Sequence, residues 1–185
     1  MNVIANFVGF QVGWFSSVLG GAQQLPWIGP LAVFIIVGIH LARAKRFKAE
    51  LTLVIACGLI GTVFDSLLVI SGWVQYPSGM FATMVAPYWI IGMWFLFATT
   101  LNLSMGWMKG RPLLAAVLGL VSGPLTYVAG HKLGGIEFAN QPYALAALGI
   151  GWAIMMPLLM KLAERFDGIT VEKPINEEPV NAPAG

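Results

Sequence analysis

Charge is what this sequence has least of. Only 10% of its 185 residues are charged, against about 25% in a water-soluble domain. From Leu51 to Met108 a run of 58 residues carries a single charge, Asp65. With 58% apolar residues, that composition excludes an ordinary soluble fold. One cysteine, Cys57, excludes an internal disulfide or a thiolate metal site, and inside an apolar run it reads as a small core residue. Two histidines, His40 and His131, leave no clustered His-x-x-His boxes, which argues against a di-iron membrane desaturase or hydroxylase. Walker loops, zinc spacings, a Gly-x-Ser-x-Gly elbow and an Arg-rich voltage sensor are all missing. The net charge of +2 forms no contiguous basic stripe, so nucleic acid is not an expected partner. No cofactor and no metal are expected.

Long apolar runs fill the space instead. A bilayer core of ~30 Å needs about 20 mainly apolar residues per helix. Six segments qualify: about Val3–Leu19, Trp27–Ala42, Leu51–Val74, Pro87–Met108, Leu113–Gly130 and Pro142–Ala163. The N-terminus lacks a basic n-region and an A-x-A-like cleavage site, so the first segment is expected to be a retained span. The fold expected is all-α, a six-span transmembrane bundle over residues 1–166. From Asp167 the chain turns polar and proline-rich, with Glu172, Pro174, Glu177, Glu178, Pro179 and Pro183. Residues 167–185 are therefore expected to be a disordered cytoplasmic tail.

Orientation follows from the cations. Arg43, Lys45, Arg46 and Lys48 follow the second span, Lys109 and Arg111 the fourth, and Lys161 and Arg165 close the sixth. Loops after the first, third and fifth spans hold only Lys132. By the positive-inside rule both termini are expected to be cytoplasmic (N-in/C-in). Trp27, Trp73, Tyr76, Tyr88 and Trp89 then gather at the outer interface as an aromatic belt.

Polar residues within the spans are the site candidates. Asp65 lies about 21 Å along its span at ~1.5 Å per residue, in the outer half of the bilayer. A charge near the centre costs roughly 2.5–3.5 kcal/mol on insertion scales. Asp65 reads either as a proton-relay or ligand-binding carboxyl or as a protonated or paired aspartate that locks two helices. Gly58, Gly61 and Asp65 share a small face that lets neighbours approach. Gly123, Tyr127 and His131 recur on one face of the fifth span beside Pro124, which leaves a carbonyl unpaired one turn earlier. Tyr127 and His131 are expected to join Asp65 in one pocket; the alternative is a backbone-bonded tyrosine and a wetted interfacial histidine. Asn102 and Gln11 could line that cavity or act as interhelical hydrogen-bond glue. Trp94 and Trp152 could flank a flat hydrophobic ligand or simply pack. His40, one turn before Arg43, reads as a helix-end or headgroup contact. Gly29-Pro30-Leu31 recurs as Gly123-Pro124-Leu125 in an oppositely directed span, the pattern an inverted repeat would leave.

The stretches Asn6-Phe7 to Trp14-Phe15, Phe64-Asp65, Tyr88-Trp89 to Asn102-Leu103 and Gly123-Pro124 to Tyr127 resemble a family of small, uncharacterised bacterial inner-membrane proteins. The resemblance covers roughly residues 1–165. It implies a membrane protein encoded near enzymes that modify unsaturated fatty acids, such as cyclopropane-type synthases, and carries no catalytic residues over. Three functions are compatible with these residues. The first is a protein that binds a lipid or other hydrophobic small molecule, accessory to membrane-lipid modification. The second is a small proton- or cation-coupled transporter or channel using Asp65. The third is a lipid-modifying enzyme with Asp65 or His131 as acid/base. Membrane lipids are the expected partners, with a homo-oligomer possible.

Overall fold

The computed structural model describes residues 2–170 and is mostly helical. The helices are α1 (Val3–Ala22), α2 (Ile28–Ala42), α3 (Phe47–Ile70), α4 (Tyr88–Leu101), α5 (Pro112–Lys132) and α6 (Gln141–Arg165). Two short strands, β1 (Val74–Gln75) and β2 (Glu137–Phe138), pair antiparallel with Val74 opposite Phe138. Each expected span holds a helix, but two bounds differ in ways that matter. Helix α3 begins at Phe47, which puts Glu50 in its first turn. Helix α4 stops at Leu101 with Asn102 as its C-cap, well short of Met108. Thr99 and Thr100 donate their hydroxyls to the carbonyls of Leu96 and Phe97 at 2.8 and 2.7 Å, competing with the helical ladder. The chain then continues through a 3-10 turn at Gly106–Met108.

Four helices, α1, α3, α5 and α6, are long and apolar enough to cross a membrane, while α2 and α4 have 15 and 14 residues. The chain ends sort into two groups. At one end Asn6 meets Thr99 and Ser104, Lys45 and Arg46 donate backbone N–H groups to Gly168, and Lys109 pairs with Asp167 at 2.7 Å. That basic end collects the start of α1, the α2–α3 and α4–α5 connections and the exit from α6. At the opposite end Gln24 donates to the Pro77 carbonyl and β1 pairs with β2. The six helices thus run up and down between the two ends.

Patterning is inverted relative to a soluble protein. Phe34 and Leu113 are each 78% exposed, while Asn6, Ser17, His40, Glu50, Asp65, Thr99, Thr100 and Asn102 are buried. An apolar exterior around a partly polar interior is what a hydrocarbon solvent selects. Helix α4 is the axis of the bundle: α1, α2 and α3 pack on it, and α6 joins it to α5. Its Trp94 stacks on Trp152 of α6 with ring centroids 5.0 Å apart. Glycines close that stack on both sides. A β-carbon at Gly61 would fall 1.8 Å from the Trp94 indole, and one at Gly123 would fall 2.3 Å from that of Trp152. Four helices are therefore locked through two indoles at positions where only glycine leaves room.

The ordered bundle extends past the expected boundary at residue 166. The Arg46 guanidinium donates to the Asp167 carbonyl, and Gly168 is buried against Glu50. Asp167–Thr170 thus belong to the bundle, and the rest of the expected tail lies outside the described residues. Of the two Gly-Pro-Leu segments, Pro30 sits in the first turn of α2 whereas Pro124 lies inside α5, so they do not occupy matching helical positions.

Candidate functional site

Asp65 has no solvent exposure, yet it is surrounded by hydrogen-bond donors. Trp94 Nε1 donates to its Oδ2 at 2.6 Å, the Tyr127 hydroxyl to its Oδ1 at 2.6 Å, and the Tyr76 hydroxyl to its Oδ1 at 3.3 Å. These donors come from α4, α5 and the segment after β1. Each is placed by local structure. Gly58 and Gly61 let Phe95 and Trp94 of α4 lie directly on α3. Tyr127 follows Pro124 on the buried face of α5. Tyr76 is turned inward by the Val74–Phe138 pairing and packs edge-on against Trp89 at 5.7 Å. No Lys or Arg pairs with Asp65 among the described residues. An ionised carboxylate accepts only, and donors to it form bonds roughly twice as strong as neutral ones.

The carboxyl forms one wall of a cavity of about 60 Å³ that also touches Phe10, Trp14, Ile90, Phe97 and Trp152. The space lies between α1 and α5, which are not closely packed neighbours. One polar atom of the lining residues is unmet: the buried Trp152 Nε1 has no partner among the described residues. The cavity therefore offers an apolar, aromatic lining with one carboxyl in its wall, already oriented by three donors.

Of the residues expected to line a pocket, Tyr127 and Trp94 meet Asp65 directly. His131 does not: it is exposed, its Nδ1 lies 2.8 Å from the Ile136 carbonyl and its ring packs on Phe138. Gln11 is half-buried on α1 and is not part of the cavity wall. Asn102 belongs to the opposite end. It donates to Glu50 Oε2 at 2.8 Å, roughly 22 Å along α3 from Asp65 at 1.5 Å per residue. Tyr76, which reads from sequence as one more interfacial aromatic, is the donor that was missed.

Around Glu50 is a second centre that sequence reading also missed. Glu50 is fully buried; its Oε1 lies 2.7 Å from Nε2 of the equally buried His40, and its Oε2 accepts from Asn102 and from the Gly168 amide at 2.9 Å. One signal was available. Glu50 stands fifteen residues before Asp65, about 60° from it around α3 at ~100° per residue, so extending that helix by one turn would have put it on the same side of the helix. Outside the spans, Asp167 carries a depressed pKa of about 2. Its burial raises the value, but hydrogen bonds from Lys109, Thr170 and the Thr170 and Ile169 amides together lower it further.

A helical bundle with an apolar exterior, buried carboxyls and four helices long enough to span defines this chain as a helical membrane protein. It belongs to the family described as "Protein of unknown function (DUF2878)", whose model matches residues 3–158. No curated protein and no solved structure matches the chain.

Proposed function

We propose that this is a six-span, N-in/C-in protein of a bacterial inner membrane that binds a small, mainly hydrophobic molecule in the Asp65 cavity. The up-and-down course and the eight cations at one end, against Lys132 at the other, support that topology. The lengths of α2 and α4, about 22 and 21 Å at 1.5 Å per residue, are compatible with it because non-helical backbone is tolerated at membrane depth where protein covers it. The observation that carries the function is the convergence of Trp94, Tyr127 and Tyr76 on one carboxylate at the wall of an aromatic cavity. Such walls, apolar with few convergent polar groups, are the ordinary form of a small-molecule site. The position between α1 and α5 favours entry from the hydrocarbon, and the reading prefers a lipid, of which the cavity would take the end of one acyl chain.

Native mass spectrometry with lipidomics on the purified protein, wild type beside Asp65→Asn, tests this. A defined compound retained by the wild type and lost from the variant is expected. Retention unchanged by the substitution would remove the cavity from the account. One observation favours a second reading: Asp65 has no cationic partner among the described residues, as a proton- or cation-carrying carboxyl requires. Proton flux in proteoliposomes that is abolished in Asp65→Asn, without a retained compound, would move the function to transport. In the enzyme reading Asp65 would be the acid/base group, because the His131 ring bonds to the Ile136 carbonyl.

A further inference from the structure

A second concavity lies on the far side of the bundle from α5 and is independent of the Asp65 reading. Helices α2 and α3 follow one another in sequence but scarcely pack together; each leans on α4 instead. Between them runs an apolar groove of about 420 Å³, walled by Phe34, Val37 and Leu41 of α2, Leu51 and Ile55 of α3, and Phe95 of α4. Two glycines keep it open. Gly92 has nothing closer to its β-position than Val33 at 3.9 Å, and Gly38 faces open space. From Pro30 to Leu41 the groove runs roughly 16 Å at 1.5 Å per residue, about half of a ~30 Å hydrocarbon core. That is the depth of one leaflet.

The charge at its mouth decides what fits. Leu41 and Leu51 mark the end of the groove, and the connection between them carries exposed Arg43, Lys45 and Lys48. The other charged side chains nearby are already engaged. Arg46 donates to Asp167, Lys109 pairs with Asp167, and Glu50 is held by His40, Asn102 and Gly168. No carboxylate pairs with Arg43, Lys45 or Lys48 among the described residues. An apolar slot one leaflet deep, ending in three cations, matches an acyl chain joined to an anionic headgroup.

We infer that the α2–α3 groove is a binding site for an anionic phospholipid, with one acyl chain along Phe34, Leu41 and Phe95 and the phosphate at Arg43, Lys45 and Lys48. The experiment uses the full chain in a mild detergent. Native mass spectra would be recorded after titration with phosphatidylglycerol or phosphatidylcholine of identical chains. A cation near the headgroup level is worth about a factor of five, so phosphatidylglycerol should be retained at least that much better. Gly38→Phe, whose ring enters open space, should reduce retention of both lipids. The triple variant Arg43→Gln, Lys45→Gln and Lys48→Gln should bring phosphatidylglycerol down to the phosphatidylcholine level while leaving the latter unchanged. Equal retention of the two lipids by the wild type would overturn the site, as would retention indifferent to Gly38→Phe. A dimer that Gly38→Phe dissociates would overturn it too, assigning the groove to a second copy of the chain.

Discussion

The same substitution at two helical glycines should move stability in opposite directions. At Gly61 an alanine β-carbon would lie 1.8 Å from the Trp94 indole, where carbon contacts want ~3.5–4.0 Å. The indole must therefore shift by roughly 1.7–2.2 Å on that contact distance. It has nowhere to go, because Trp152 stacks on it and Gly123 backs Trp152. The Trp94–Asp65 hydrogen bond of 2.6 Å cannot survive such a shift, since a separation of about 3.6 Å is no bond. Overpacking costs ~1–3 kcal/mol, and losing a hydrogen bond to a charged group adds ~1.5–3, so about 4 kcal/mol is the central figure. For a chain of this length 1 kcal/mol corresponds to ~2–4 °C in Tm, which gives a fall of roughly 8–16 °C. At Gly38 a β-carbon meets nothing within 4 Å, and relief of glycine's helical cost adds ~0.5–1 kcal/mol. Thermal unfolding of both variants in one detergent, followed by tryptophan emission, makes the comparison. A Gly61→Ala protein that melts within ~3 °C of Gly38→Ala, less than about 1.5 kcal/mol, would refute the claim that the indole stack fixes the register of α3 on α4.

Further outcomes follow from the two carboxyl centres. Asp65→Asn should cost only ~1–2 kcal/mol, because the amide can turn its oxygen to Trp94 and its NH₂ to the tyrosine hydroxyls, which also accept. Asp65→Leu leaves three donors unmet and should cost at least twice as much, read from the same melts. In Gly168→Ala the new methyl would sit 2.6 Å from the Arg46 carbonyl and from Glu50 Cβ; hydrogen exchange should then rise at the Gly168–Thr170 amides while α3 stays protected. Asp167 supplies a pH dependence. Its folded pKa of about 2 lies below the ordinary ~3.9, so its contacts stabilise fully above pH ~4 and lose that contribution as pH falls from about 4 towards 2. Lys109→Met, which removes one of the depressing bonds, should shift that acid limb to higher pH; identical limbs in the two proteins would detach Lys109 from it.

Much of the architecture was legible because hydrocarbon and charge act on residues one at a time. Six apolar runs, cations confined to alternate connections and an aspartate inside one run need no knowledge of partners, and Asp65, Trp94 and Tyr127 were readable as candidates. Their meeting was only partly so. Tyr127 shares the small, buried face of α5 with Gly123, whereas Tyr76 reaches Asp65 through a strand pairing with Phe138, more than sixty residues away. His40 and Glu50 look like helix-end residues in isolation. They become a buried pair because the α2–α3 turn returns the chain and Gly168 closes over it.

The order of apolar and charged residues thus determined that the chain has an apolar exterior, where along it the six helices lie, and which end is basic, since each follows from the transfer energy of single side chains. Which carboxyl meets which donor, where α1 and α5 part to leave a cavity, and where α2 and α3 leave a groove were decided only by tertiary structure. Those outcomes depend on the volumes of residues facing each other from distant segments, above all the glycines that admit Trp94 and Trp152, and no property of one position along the chain encodes that fit.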